Sequence, residues 1–598
     1  MRTTLDFLLN DWIGLDDLLE RPRFAEHSHE TFRAVLDTCE RMAASVFAPI
    51  NRLVDVEEPS FDGQCVKLPQ ATHQALAAYV GSGMLAATHD HEAGGMQLPS
   101  VVEMAANAFF YKASLAVASY PMLTTANANL LMAHGTPTQR EVFAAPELAG
   151  RWFGTMCLSE PQAGSSLSDI ATRAVPDGAD FEADPLGPRY RLTGNKMWIS
   201  AGEHELTENI VHLVLAKIPG NDGKLVPGTR GISLFIVPKM LVDAEGRLSG
   251  ERNDLALAGL NHKLGFRGTT NCLLNFGEHG GAIGWRVGAP GEGLRCMFHM
   301  MNEARIRVGL GATMLGWAGY DASLAYAKTR LQGRRPGSTS KDASTAPIAI
   351  VEHADVRRML LAQKAYVEGA LALELYCARL VDEQASGEQT AQEEARRLLD
   401  ILTPIAKSWP SEWCLEANSL AIQVHGGYGY TRDFPVEQYW RDNRLNLIHE
   451  GTHGIQGQDL LGRKVLADGG AALQLLLGRV HRTAERAASD DDLVDAARAL
   501  AAWAGRLEQA TRQAWAGGTP EEVLANATPY LQAFGHLVLA WLWLDIVLAL
   551  YGRGDAFALG KRHAMRFFFH HELPKMGPWL AIVSNRDATC LHMPVNAF

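Results

Sequence analysis

Apolar residues follow a helical period over the first 150 residues, change to short strand-like runs, and return to a helical period for the rest of the chain. In FRAVLDTCERMAASVFAPINRLV, Val35, Cys39, Met42, Val46 and Ile50 recur at near-helical spacing, and Pro49 limits the helix. Residues 101–135, VVEMAANAFFYKASLAVASYPMLTTANANLLMAHG, predict two helices broken at Tyr120–Pro121. From 153 the runs FGTMCLSEP, YRLTGNKMWIS, NIVHLVLAKI, RGISLFIVPK and NCLLNFGE are β-branched or aromatic and separated by Gly, Pro and Asp turns. They predict a small β-domain. A proline-free stretch, Gly291–Arg335, restores the helical period. The Pro/Ser-rich segment 334–347 reads as a loop. Helices resume at VEHADVRRMLLAQKAYVEGALALELYCARLV and at PIAKSWPSEWCLEANSLAIQVHGGYGY, and residues 466–598 form a further helical block. The expected class is mainly α with a β-domain. The segments are 1–152 (helical), 153–282 (β), 283–465 (helical bundle) and 466–598 (C-terminal helical extension).

The chain has 598 residues, too many for one core. A 47% apolar and 20% charged composition is that of a soluble globular protein. The net charge of −12 disfavours a nucleic-acid-coating role. Eight scattered cysteines without a CxxC pair point to neither a disulfide framework nor a zinc site, and fit a reducing cytoplasm. Asp6, Asp11, Asp16 and Asp17 interrupt the N-terminal apolar residues, unlike a signal peptide. The run Leu537–Tyr551 is shorter than the ~20 residues of a membrane span and contains Asp545, so a buried helix is expected and no membrane. HDHEAGG at 89–95 reads as a turn, because four adjacent ligand-type residues do not easily converge on one ion. GLGATMLG at 309–316 lacks a preceding strand and reads as glycines for close helix packing. In KRHAMRFFFHH, Ala564, Phe567, Phe568 and His571 form one helical stripe, so a buried aromatic face with solvated charges is expected.

Six segments offer chemistry. In RDNRLNLIHEGT, Glu450 follows a helix ending near Ile448 and precedes Gly451, which frees the backbone to hold the acid over a ligand. The plainer reading is a surface acid at a helix C-terminus, which the helix dipole slightly disfavours. His449 either tunes that acid or, on the plainer and favoured reading, hydrogen-bonds a backbone carbonyl. CLSEPQAGSS, 157–166, ends in small hydroxyl residues that allow close ligand approach, or is an ordinary turn. KMWISAG, 196–202, puts Trp198 and Ser200 on one strand face, suited to packing on a ring and bonding its edge, or to a half-buried strand. QVHGGYGY, 423–430, places Gly426 and Gly427 where a helix ends, for a phosphate or a simple C-cap. Arg305 and Arg330 carry the planar fork that suits phosphate. For Arg305 an ion pair beside Asn302 and Glu303 stays open.

In this order, over about residues 30–465, these segments resemble the flavin-dependent acyl-CoA dehydrogenases, in the larger subgroup with a C-terminal extension. The resemblance implies a helical, β-barrel-like, helical-bundle order with FAD as cofactor and Glu450 as catalytic base. Leu158 and Ser159 would contact the isoalloxazine, Trp198 shield it, and Ser200 bond near N5. Thr452 and Gln456 would flank the flavin end, and Arg330 pair with the FAD pyrophosphate. Gln423, Gly426 and Gly427 would touch FAD bound by a neighbouring subunit, implying a homodimer. Family members of ordinary length are often tetramers, in which helix bundles meet. Ser165 and Arg305 would meet the acyl-CoA substrate. The departures are Ser166 where Asp is common, a missing Phe between Gln332 and Gly333, His449 for Tyr, and Gly454 for a polar residue. The implied reaction is oxidation of a medium-to-long straight-chain acyl-CoA to the trans-2-enoyl-CoA, with electrons passed to electron-transfer flavoprotein. An O2-using oxidase, a 3-methylmercaptopropionyl-CoA dehydrogenase activity and a DNA-binding flavoprotein of the alkylation-response type are the alternatives.

Overall fold

The computed structural model describes residues 1–337 and 344–598. Part of the expected 334–347 loop, residues 338–343, lies outside the described residues. The chain forms two compact units. One comprises Met1–Arg33, Pro99–Ala108 and Arg305–Phe598, and the other Ala34–Leu98 and Phe109–Ala304.

The second unit carries an eight-stranded sheet. Its strands are β1 (Trp152–Cys157), β2 (Arg173–Pro176), β3 (Arg189–Ser200), β4 (Asn209–Lys217), β5 (Ile232–Pro238), β6 (Leu255–Leu260), β7 (Asn271–Phe276) and β8 (Ala282–Val287), in the order β6-β7-β3-β8-β5-β4-β1. Strand β2 pairs antiparallel with β3 and, through Arg173 and Lys217, parallel with β4. That second pairing closes β3, β8, β5, β4 and β2 into a ring, which is the barrel-like element. β4 and β5 are buried along their whole length, as strands covered on both faces are. β3 instead alternates, with Tyr190, Leu192 and Lys196 inward and Arg191, Thr193 and Asn195 outward. Leu192, Val214, Phe235, Leu274 and Phe276 belong to one core cluster.

The first unit is a helix assembly. Helix α1 (Ala354–Ser386) turns at Gly387 into α2 (Gln389–His425), and the pair forms a long hairpin. Helix Gly293–Thr329 crosses it through glycines: a Cβ at Gly309 would lie 2.1 Å from the Ala406 carbonyl, and one at Gly316 2.7 Å from Cys414 Cβ. Gly309 and Gly316 of GLGATMLG therefore serve packing. Helix α2 runs through Pro404 and Pro410 instead of starting at the first of them. Interior prolines weaken a helix by about 3 kcal/mol, and the buried flank Leu398–Pro410 outweighs that. Helix Ser100–His134 likewise continues through Pro121. Its non-helical residue is Ser114, not the Tyr120–Pro121 step, and no breaker in the sequence marks it. Asp382 of α1 accepts from the Ser100 and Val101 amides at 2.5 and 3.0 Å and so starts that helix.

After α2 come α3 (Val436–Arg444) and α4 (His453–Asp459), followed by the C-terminal block. There Ala527–Leu548 docks on the hairpin: Trp413 donates to Gln532 Oε1 at 2.9 Å, Trp409 to His536 Nδ1 at 3.2 Å, and Trp543 to the Ala365 carbonyl at 3.1 Å. Among the described residues, two helices, Ser100–His134 and Ala527–Leu548, are long and apolar enough to cross a membrane, but their apolar windows are 89% and 83% buried within the protein. The stripe Ala564, Phe567, Phe568 is buried as expected, while His571 is exposed and stacks on Phe567 at 4.5 Å. Not all the charges there are solvated. Lys561 is buried, 3.0 Å from Glu368 Oε2, and donates to Thr4 Oγ1. HDHEAGG makes a 3-10 turn, His91–Ala93, closed by Gly94 at φ +79.

Candidate active site

Glu450 sits in a turn that its neighbours hold against its own preference. Helix α3 gives way to one 3-10 turn, Leu445–Leu447, and the backbone then reverses, with Glu450 at φ +54 and Gly451 at φ +93. A left-handed conformation costs a non-glycine residue roughly 1–2 kcal/mol. Gln456 Nε2 donates to the Glu450 carbonyl at 2.8 Å, and Lys407 Nζ donates to the Gly451 carbonyl at 2.7 Å. Thr452 caps α4, its hydroxyl accepting from the Ile455 amide at 3.4 Å, and α4 carries Gln456. A Cβ on Gly451 would stand 2.6 Å from Gln456 Nε2, so glycine is required there on two counts. His449 bonds Asn446 Oδ1 at 2.9 Å.

Glu450 is half-buried. Burial pushes its carboxyl above the ordinary carboxylate value, and the Arg305 and Lys407 charges pull it part of the way back. Arg305 is buried, with Asp459 Oδ2 3.8 Å away. Asp459 is thus a charged neighbour of Arg305 beyond the Asn302 and Glu303 of its own helix. Burial draws the Lys407 ammonium down to about 7, with Glu450 opposing and Arg305 reinforcing the shift. A carboxyl raised above its ordinary value beside two buried basic side chains is an arrangement able to accept a proton.

The same unit holds a second group. Helix α2 ends at His425, where the Gly426 amide bonds the Gln423 carbonyl and Gly426 takes φ +61. His425 stacks on Tyr326 at 4.4 Å, and the Arg330 guanidinium lies 5.8 Å from the Tyr428 ring centre. These residues, with Gln332 and Gly427, line a cavity of about 520 Å³. A Cβ added at Gly426 or Gly427 would meet nothing within 4 Å, so bare backbone faces open space. Gln423 is exposed one turn back along the helix.

In the β-sheet unit the two remaining segments come together. Leu158 follows β1, and its carbonyl accepts from Lys196 Nζ at 3.0 Å; the Ser159 carbonyl accepts from the Met197 amide at 3.0 Å. Lys196 also pairs with Glu160 at 2.9 Å, both buried, and Glu160 accepts from the Ala171 and Thr172 amides and the Thr172 hydroxyl. The register of β3 with β7 slips opposite Met197 and Trp198, and Trp198 takes φ +66 with 60% of its surface exposed. The bulge shifts the inward position from Lys196 to Ile199, and Trp198 and Ser200 flank Ile199 on the other face. Ser200 Oγ accepts from Asn271 Nδ2 at 3.4 Å. Ser165 is exposed, and Ser166 donates to Asp169 at 2.8 Å. Reasoning from sequence missed Lys407, Glu160 and Lys196. For the last two, their place inside the quoted segments was a usable signal.

The comparisons with known proteins agree with one another. The family description "Acyl-CoA dehydrogenase, C-terminal domain" matches residues 291–465, and "Acetyl-CoA dehydrogenase C-terminal like" matches 476–594. The chain is 36% identical over 540 residues to a 3-methylmercaptopropionyl-CoA dehydrogenase of Ruegeria pomeroyi, covering 89% of this chain and 87% of that one. It is 32% identical over 619 residues to a broad-specificity linear acyl-CoA dehydrogenase of Mycobacterium tuberculosis, covering 99% and 98%. The fold matches that of Caenorhabditis elegans ACDH-11 in complex with C11-CoA, with TM-score 0.77 at 18% identity over 95% of this chain and 93% of that one. A helical unit, a barrel-like sheet and a poised glutamate are the parts of a flavin-type acyl oxidoreductase. The chain belongs to the acyl-CoA dehydrogenase family, in the group with a C-terminal helical extension. Members of this family are FAD flavoproteins.

Proposed function

We propose that this chain is an FAD-dependent enzyme that converts linear, medium-to-long acyl-CoA thioesters to trans-2-enoyl-CoA and passes the electrons to electron-transfer flavoprotein, as a cytoplasmic homodimer. The observation that carries the reading is Glu450: a half-buried carboxyl, raised above its ordinary value, in a left-handed turn fixed by two donors. The residues present fit FAD. An exposed Trp198 offers a ring face, and the cavity beside Arg330 offers a planar cation with bare Gly426 and Gly427 backbone, which suits a dinucleotide's phosphates.

FAD, when bound, supplies the hydride acceptor. Glu450 takes the α-proton of the thioester. Its own backbone N–H, held by the same turn, donates to the thioester carbonyl oxygen, where charge develops as the proton leaves. Covering the site with acyl-CoA removes water from Glu450 and strengthens its basicity. In the β-sheet unit Leu158, Ser159 and Ser200 would hold the flavin, and in the helical unit Thr452 and Gln456 would contact it. Gln423, Gly426 and Gly427 would serve a partner's FAD; Ser165 would meet the acyl-CoA, and so would Arg305.

Anaerobic flavin bleaching by acyl-CoAs of graded length tests this. Bleaching that rises from butyryl-CoA toward longer chains supports the reading, and no bleaching with any member overturns it. The Ruegeria relative, at 36% identity, favours one specific second substrate, so the panel includes 3-methylmercaptopropionyl-CoA.

A further inference from the structure

We propose that Lys407 is a positioning residue for this reaction: by donating to the Gly451 carbonyl it fixes the turn that presents the Glu450 carboxylate and backbone N–H. The inference rests on Glu450 being the base. Lys407 lies on α2 among buried Ile405, Ala406 and Trp409, and is itself fully buried. Burying an amine is costly unless its donors are used, and an apolar side chain would fill the space more cheaply. Its bond is not to a carboxylate. It goes at 2.7 Å to the carbonyl on the far side of Gly451, while Gln456 holds the carbonyl of Glu450 at 2.8 Å. Two consecutive carbonyls are therefore pinned from two different helices, α2 and α4, and the residue between them is the freest in the turn. Without the Lys407 bond the Gly451 peptide can rotate, and the left-handed Glu450 conformation has one restraint left. The charged groups facing Lys407 are Glu450 and Arg305, and Arg305 in turn faces Asp459 and Arg463. The ammonium is thus also part of the charge that sets the basicity of Glu450.

The test uses FAD-loaded Lys407→Met, Lys407→Gln and Lys407→Arg, with butyryl-CoA and octanoyl-CoA as probes. Bleaching rates at saturating probe are followed from pH 5 to 9. Lys407→Met is expected to lose roughly 10²-fold, the order of loss from a small misplacement of a reacting group. Lys407→Arg, which keeps donor and charge, should stay within about tenfold of the parent. Lys407→Gln keeps a donor without the charge, so its acidic limb should move to higher pH, which a merely structural lysine would not cause. A Lys407→Met rate within threefold of the parent overturns the proposal, as does an unmoved acidic limb in Lys407→Gln. Should Lys407→Met fail to accumulate as a yellow protein, the other two variants decide on the same readouts. Loss of FAD from all three also overturns it, because positioning the base leaves flavin binding intact. Failure of the parent to bleach would instead remove Glu450 as base.

Discussion

Lys196 Nζ lies 2.9 Å from Glu160 Oε1, and neither side chain is exposed. The pair fastens the loop after β1 to the edge of the bulge that carries Trp198. Breaking such a pair from one side leaves a buried charge and costs roughly 3–5 kcal/mol. Lys196→Met is therefore expected to lower the melting temperature and to be purified with little FAD, because Leu158, Ser159 and Trp198 lose their common anchor. Absorbance at 450 nm per chain checks this. Full flavin content in the variant would show that the loop is placed by something else.

Glu450→Gln should keep FAD and acyl-CoA binding and lose at least ~10² in the bleaching rate, because the amide keeps the shape but accepts no proton. Rapid-mixing absorbance measures it. A variant within a few-fold of the parent moves the base to another residue.

The pH dependence has a definite sign. Burial raises the Glu450 carboxyl above its usual 4.5, and only the ionised form accepts the α-proton. The bleaching rate should therefore climb with pH, with a midpoint above 4.5, and Arg305→Met should move that midpoint higher still by removing a charge that favours the carboxylate. A midpoint at or below the ordinary value would contradict the environment described for Glu450.

Much of this was legible in the sequence, for reasons that differ by residue. Glu450–Gly451 stood out because an acid before a glycine announces an unusual backbone. Trp198 and Ser200 could be placed on one face because a strand has period two. The bulge beneath them, which gives Trp198 its positive φ, comes from pairing with β7 and has no local signature. Lys407 was hidden because its partner is a carbonyl 44 residues away in sequence. Lys561 looked like a solvated charge on its own helix, and only docking against Glu368 and Thr4 buries it. Pro404 and Pro121 misled in the same way: a proline penalises a helix locally, while the packing that overrides it is tertiary.

Glu374 is buried in α1, and neither carboxyl oxygen has a hydrogen-bond partner among the described residues. Burial holds its carboxyl well above the ordinary value. The folded state then keeps the proton more tightly than the unfolded chain. That advantage is complete below about pH 4.5, the unfolded value, and is lost as pH rises toward the folded one. Glu374→Gln removes the titration. Its melting temperature relative to the parent should be higher at pH 8 than at pH 5, as read by thermal melts at both pH values. An equal difference at the two would refute the account.

In α2, Trp409 and Trp413 donate to His536 and Gln532 of the C-terminal block, so this chain's own extension covers that face of the hairpin. Helix Ala527–Leu548, a long apolar stretch, is mostly buried within this chain and is not offered to another copy. If the face that lets ordinary-length relatives pack four bundles together is closed in this way, assembly beyond a pair has lost its apolar surface. The other end of α2 is different. Tyr430 is 91% exposed on the same 3-10 turn as Gly426 and Gly427, which leaves its ring available to a second subunit. Light scattering on the FAD-loaded protein should therefore give a mass near twice 65.2 kDa. Tyr430→Glu should weaken the dimer and release FAD together, since one contact serves both. A flavin-loaded, active monomer would show that Gln423, Gly426 and Gly427 do not serve a partner, and a tetramer would show that the extension leaves the central face open.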